Sequence, residues 1–204
     1  MALSWKRALN RGVLSGTCAS ILSTLALLAR GRSESGSALA PINAVSHWYW
    51  GDHATREDRP SFKYTVPGYL THHATSVFWA ALFEKTFSGA LHGRPARTVA
   101  ASAATATVAC FVDYQLTPKR LTPGFEHRLS KTSLFFVYAA FAAGLAITEL
   151  ARSKALVRQD GVARSSPKRR PATRRSQRPV LDGSPEHVAL NLAAGTLMAS
   201  RRAI

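Results

Sequence analysis

Four long stretches of this chain contain no lysine, arginine, aspartate or glutamate, although the whole chain carries a formal net charge of +16. They cover residues 12–29, 64–83, 98–112 and 132–148. An α-helix rises 1.5 Å per residue and needs about 20 apolar residues to cross about 30 Å of hydrocarbon. The pattern therefore predicts an all-α, polytopic membrane protein with four transmembrane helices, at about 12–29, 64–83, 98–114 and 132–149.

The charge is distributed unevenly along the chain. Residues 1–151 hold 15 Lys and Arg against 8 Asp and Glu, whereas residues 152–204 hold 12 against 3. Residues 165–179 include three prolines and no large apolar side chain that could offset the entropy of ordering. We therefore expect a four-helix transmembrane domain over 1–151, a disordered basic tail over 152–185 and a short amphipathic segment over 186–204.

Basic residues flank the predicted transmembrane domain on both sides. Lys6, Arg7 and Arg11 precede the first span, and the basic tail follows the last. With an even number of spans, the positive-inside rule places both termini in the cytoplasm. The predicted location is the bacterial inner membrane, and the alternative is the mitochondrial inner membrane. We expect the first span to stay uncleaved, because Pro41 follows the small residues that resemble a cleavage site.

Histidine and acidic residues gather on the predicted outer side of the membrane. His72 and His73 lie in the second span, Asp113 ends the third, and His47 lies in the first outer loop. Ionisable groups inside a membrane are costly, which makes them functional candidates. His72, His73 and Asp113 are the candidate catalytic residues, and these three with His47 are the candidate metal ligands. We expect His72 or His73 to pair directly with Asp113.

The sequence offers little for a bound cofactor. Adjacent helical residues point about 100° apart, so His72 and His73 are poorly placed to chelate one ion. The first, third and fourth spans contain no histidine that could complete a bis-histidine haem site. Cys18 and Cys110 lie in predicted spans without the spacing of a zinc site. We expect no cofactor, and a metal ion is the alternative.

The expected partners are the lipid bilayer and another membrane protein or a second copy of the chain. Small residues in the third and fourth spans allow close helix approach, so we expect these two helices to form the tightest pair. Basic tail residues are expected to contact anionic lipid headgroups, at about 1 kcal/mol each; they are Lys168, Arg169, Arg170, Arg174, Arg175 and Arg178. No aromatic residue is interleaved with them, so sequence-specific nucleic-acid binding is not expected.

Three segments carry a resemblance to a known group of proteins. They read NAVSHWYWGD, HHATSVFWAALFEK and VDYQLTPKRLTPGFEHRLS. Together they resemble parts of small proteobacterial inner-membrane proteins of no assigned activity, over roughly residues 44–150. The resemblance implies a membrane location and assigns no role to any residue.

These observations predict an integral membrane protein with a non-enzymatic, structural or interaction function. The alternative is a membrane-embedded metal-dependent enzyme or metal-handling protein that uses the outer-face cluster of histidine and aspartate. A transporter or channel subunit is a third class. The sequence lacks the internal repeat and the spans interrupted by Gly and Pro that are typical of many transporters.

Overall fold

The structure, a computed structural model, describes residues 3–165, and this part of the chain contains helices and no strand. Four helices are long: α1 (Trp5–Ser35), α5 (Thr65–Leu91), α6 (Pro95–Phe111) and α7 (Lys131–Ser165). Three short ones follow α1: α2 (Ala40–Val45), α3 (His47–Trp50) and α4 (Asp52–Thr55). The all-α class is confirmed, and each predicted span overlaps one long helix, although the span 98–114 continues from α6 into the π-helical turn at 112–116.

Three segments are long and apolar enough to cross a membrane: Trp5–Ser35, Pro95–Leu116 and Lys131–Gln159. The count of four spans therefore depends on α5, which does not reach the same hydropathy over its length. The second of these segments extends α6 through a π-helical turn, Val112–Leu116. Membrane location is supported by the three apolar helices, whatever the position of α5.

The last helix is longer than the sequence predicts. It continues to Ser165, past residues 151 and 152, where the sequence predicts the boundary between the transmembrane domain and the tail. The reason is that α7 still packs on the bundle there, with Ser153 buried and Arg152 half-buried. The rest of the predicted tail, with Lys168 and the other proposed lipid contacts, and the predicted segment 186–204 lie outside the described residues.

The long helices form an antiparallel bundle with two distinct ends. A short turn at residues 92–94 joins α5 to α6 at one end, called here the turn end. The connections 36–64 and 117–130 both lie at the other end, the loop end. The start of α1 and the second half of α7 lie at the turn end, because Lys85 Nζ donates to the Leu3 carbonyl and Arg152 bonds to Glu84.

Helix α1 is the centre of packing, and it contacts α5 and α7 most extensively. The buried face of α1 consists mostly of small residues, which let its backbone approach α5 closely. A Cβ added at Gly12 would lie 2.7 Å from Ala81 Cα, and one added at Gly16 would lie 2.5 Å from Val77 Cα. Its exposed face carries large apolar side chains, including Leu14. Close backbone approach on the inside and bulk on the outside are typical of helix packing in lipid.

The expectation that α6 and α7 form the tightest pair is wrong. They are neighbours, but a groove of about 1240 Å³ lies along them, lined by small residues such as Ala103 and Ala143. Helix α6 contains no glycine, whereas α1 brings Gly12 and Gly16 against α5 and receives Gly144 of α7 against Ala19. Glycine, more than alanine, lets two backbones meet.

A folded layer closes the loop end; we call it the cap, residues 37–64 and 117–130. Its centre is α2, whose six residues are all buried. Asn43 is 0% exposed. Its Nδ2 donates to the carbonyls of Glu57 and Arg59, both at 3.0 Å, and its Oδ1 accepts a bond from Thr65 Oγ1 at 2.6 Å. The side chain of Asn43, with its hydrogen bonds satisfied, therefore joins α2 to another part of the cap and to the start of α5.

Candidate functional site

A cavity of about 270 Å³ lies at the loop end of the bundle, beneath the cap. All four long helices contribute to its wall. The cap contributes Trp48, Pro123 and Phe125, and α5 contributes His72 and Thr75. The cavity is therefore a partly open cleft between the four long helices and the cap.

Two of the four predicted site residues line this cavity. His72 reaches it from α5, and Asp113 reaches it from the π-helical turn that ends α6. His73 and His47 are not among the lining residues. Isolated π-helical turns are frequent at functional sites, so the position of Asp113 is notable on backbone grounds as well.

Asp113 bonds to a tyrosine and not to a histidine. The hydroxyl of Tyr138 on α7 donates to Asp113 Oδ2 at 2.6 Å. The predicted direct pair between Asp113 and His72 or His73 is therefore wrong. The prediction fails because α6, which carries Asp113 at its end, packs more extensively against α7 than against α5. None of the four ion pairs found within residues 3–165 involves Asp113.

His72 is fixed by α1. Its Nε2 lies 2.9 Å from Ser23 Oγ, and the Ser23 hydroxyl lies 2.8 Å from the Ala19 carbonyl. The 2.9 Å distance fits either an Nε2–H that donates to Ser23 Oγ or a Ser23 hydroxyl that donates to an unprotonated Nε2. The ring also packs edge-on against Phe125, with 6.4 Å between centroids. His72 is thus a satisfied interhelical contact with one face on the cavity.

The other two histidines lie in separate surroundings. His73 stacks on Tyr69 with 5.9 Å between ring centroids. His47 Nδ1 donates to the Ala44 carbonyl at 2.9 Å, and its ring lies 6.2 Å from that of His127. Over the described part of the chain, no three residues among His, Cys, Asp and Glu are grouped closely enough to hold a metal ion.

The lining of the cavity is aromatic and carries one carboxylate. Six aromatic residues contribute to its lining: Trp48, Phe78, Trp79, Phe125, Tyr138 and Phe141. Of these, Phe78 is also 57% exposed on the outside of α5. Of the described residues that line it, none is lysine or arginine, in a chain that holds 27 of them. The chemistry offered to a ligand is therefore apolar faces and a negative charge.

Most lining hydroxyl groups donate within the protein. Thr75 Oγ1 donates to the His72 carbonyl at 3.0 Å, Ser76 Oγ to the same carbonyl at 2.8 Å, and Thr117 Oγ1 to the Val112 carbonyl at 2.9 Å. The Tyr138 hydroxyl is used by Asp113. What these groups leave for a ligand is acceptor oxygen, because a hydroxyl has one donor and two acceptor positions.

A second polar cluster lies at the turn end and was not predicted. Arg152 on α7 donates from Nη2 and Nη1 to the two carboxylate oxygens of Glu84, at 2.9 and 2.8 Å, and from Nη1 to Glu149 Oε2 at 2.6 Å. Glu84 is 0% exposed. The i,i+3 spacing of Glu149 and Arg152 is the sequence signal that could have revealed half of this cluster.

The chain matches no protein-family model, no curated protein and no solved structure. The geometry of the bundle and of its cavity therefore carries the functional argument by itself.

Proposed function

We propose that this protein is an integral membrane protein with four transmembrane helices, and that its function is to bind a small ligand in the loop-end cavity without chemical conversion. The observation that carries the proposal is this cavity. The cavity has a volume of about 270 Å³ and a largely aromatic wall with few polar groups. Small-molecule binding sites usually have this kind of lining.

The exposed face of α5 supports the fourth span. Val66, Leu70 and Phe78 are 44%, 57% and 57% exposed, and Ala74 continues the same i,i+4 row. Five polar residues of α5 are buried in the bundle: Thr71, His72, Ser76, Glu84 and Ser88. Hydropathy averages over the whole circumference of a helix, so inward-facing polar residues lower it without changing the face that meets lipid.

Charge supports the proposed orientation. The first residues of α1 and the second half of α7 both lie at the turn end. Residues 152–204, which follow the predicted last span, hold 12 Lys and Arg against 3 Asp and Glu. Under the positive-inside rule, the turn end is cytoplasmic in the bacterial inner membrane. The cap and the cavity then belong to the outer half of the protein.

Binding is favoured over catalysis by the state of the polar groups. His72 and Tyr138 are each engaged with a protein partner, Ser23 and Asp113 respectively. A general acid or base has to reach a substrate proton in hydrogen-bond range. Side chains held by neighbouring helices are suited to shape a site and to fix a ligand's orientation.

Cysteine accessibility tests the cavity and the fourth span together. In a background with Cys18 and Cys110 replaced by alanine, Thr75→Cys places a thiol on the cavity wall, and Ala74→Cys places one on the exposed face of α5. Arg56→Cys in the exposed cap is the aqueous control. Permeabilised membranes are treated with small, impermeant methanethiosulfonates of either charge.

We expect rapid modification at position 56, slower modification at position 75 and none at position 74. The order is informative because Ala74 is the more exposed of the two adjacent α5 residues, and a water-soluble bundle would therefore react there first. Modification at 74 as fast as at 56 would contradict the fourth span. Failure of both reagents at 75 would contradict an accessible binding cavity.

A further inference from the structure

Resting on the proposed function, we infer that the ligand is a small organic cation, an ammonium group on a compact apolar body. The carboxylate of Asp113 binds the charge, and the aromatic wall of the cavity binds the apolar part. Four observations carry this inference: an unpaired carboxylate, committed donors, aromatic faces and a small volume.

The carboxylate of Asp113 has no positively charged partner within the described part of the chain. It is half-buried, and its bond from the neutral Tyr138 hydroxyl satisfies one oxygen. Elsewhere in the same bundle, the buried Glu84 is paired with an arginine. A charge near the membrane interior is costly without a partner. A cationic ligand supplies the partner that the protein itself does not.

The hydrogen bonds of the lining hydroxyl groups disfavour an anionic ligand. The hydroxyls of Thr75, Ser76 and Thr117 donate to backbone carbonyls. Their oxygens remain as acceptors, whose partial negative charge is favourable for a cation. An anion would meet these acceptors and the Asp113 carboxylate.

The aromatic wall distinguishes an organic cation from a metal ion. Divalent cations such as Ca²⁺ take six or more oxygen ligands, whereas this lining offers one carboxylate among six aromatic rings. Ammonium groups are attracted to aromatic faces through the ring quadrupole, and quaternary ammonium ligands are recognised in this way. The volume of about 270 Å³ is at the small end of ligand sites, so the apolar body is compact.

The experiment measures tryptophan fluorescence of the detergent-purified full chain. Trp48 and Trp79 line the cavity, whereas Trp5 and Trp50 do not. Replacing Trp5 and Trp50 by phenylalanine keeps an aromatic ring beside Lys85 and Lys63 and leaves both remaining reporters on the cavity wall. The probes are benzyltrimethylammonium, its neutral isostere neopentylbenzene and the anion benzylsulfonate.

We expect a saturable fluorescence change with the cation, and affinity at least about tenfold weaker for the other two probes. Asp113→Asn removes the charge and keeps the shape, and we expect at least about tenfold weaker cation binding. Asp52→Asn removes the same charge from the exposed cap and leaves binding unchanged.

Several results would overturn the inference. Equal affinity for benzyltrimethylammonium and neopentylbenzene would do so with the cavity lining intact, in the background that carries only Trp5→Phe and Trp50→Phe. Unchanged cation binding in a folded Asp113→Asn variant would do so independently. Either result would contradict only the cationic nature of the ligand. The proposed binding function would still be supported if the thiol in Thr75→Cys reacts with the methanethiosulfonates. Absence of binding by every probe, together with an unreactive Thr75→Cys, would remove the proposed function as well.

Discussion

The guanidinium of Arg152 donates to both carboxylate oxygens of Glu84, at 2.8 and 2.9 Å, across 68 residues of sequence. A bidentate pair of this kind fixes direction as well as distance, because both groups are planar. It therefore sets the position of α7 against α5 at the turn end. Glu149 shares the same guanidinium and completes the cluster.

Removal of this arginine is expected to destabilise the bundle strongly. Arg152→Gln leaves the fully buried Glu84 and the neighbouring Glu149 without their counter-charge. Breaking a buried pair in this way costs about 3–5 kcal/mol. Lys154→Gln removes an exposed positive charge from the same turn of α7 and serves as the control. Unfolding of the purified protein in detergent measures both, and similar stability for the two variants would contradict the structural role.

Loss of the Asn43 side chain is expected to loosen the cap. Asn43→Ala removes three hydrogen bonds and leaves the carbonyls of Glu57 and Arg59 without this donor. Each buried group left unsatisfied costs about 1–3 kcal/mol. Limited proteolysis should then cut within the cap faster than in the parent protein. Asn10→Ala, on the exposed side of α1, should leave the cleavage rate unchanged.

A single methyl group at Gly16 is expected to separate α1 from α5. In Gly16→Ala the new Cβ would lie 2.5 Å from Val77 Cα, which is backbone and cannot rotate away. Overpacking of this type costs about 1–3 kcal/mol. Ala74→Val adds comparable bulk to the exposed face of α5 and should be nearly neutral. Thermal denaturation distinguishes them, and equal midpoints would argue against the close α1 to α5 contact.

Reporter fusions test the proposed orientation. A reporter that is active only outside the cytoplasm should be inactive when it is fused after Arg178, because the basic flank holds that side in the cytoplasm. The same reporter inserted near Glu57, in the cap, should be active. Activity after Arg178 with none near Glu57 would invert the topology and place the cavity on the cytoplasmic side.

Much of the bundle follows from the sequence, because each uncharged stretch is long enough to be a helix and the charges mark where helices end. The shared location of His72 and Asp113 at one end also follows, since antiparallel helices bring the start of one beside the end of the next. Their hydrogen-bond partners do not follow. The lengths of the spans do not indicate which helices pack against each other. That packing determines that Asp113 bonds to Tyr138 and that His72 bonds to Ser23.

The turn-end cluster shows the same limit in a second way. From the sequence, Glu84 is an acidic residue at the end of an apolar stretch, which is also the description of an ordinary interfacial residue. Its burial depends on α7 extending past residue 149, and that extension depends on packing rather than on hydropathy. Local composition cannot distinguish a buried, paired Glu84 from an exposed interfacial one, because the pairing depends on Arg152, which lies 68 residues later.

The pairing of Glu84 with Arg152 has a consequence for biogenesis. In the proposed four-span arrangement, α5 enters the membrane before α7 is synthesised, so the carboxylate of Glu84 arrives there before its partner Arg152, which lies 68 residues later. Until Arg152 is synthesised, the final position of α5 in the membrane is unfavourable in free energy, because an unpaired carboxylate is costly in hydrocarbon. The bundle should therefore close late, when synthesis passes Arg152. Nascent chains that stop before that residue should remain substrates for membrane proteases.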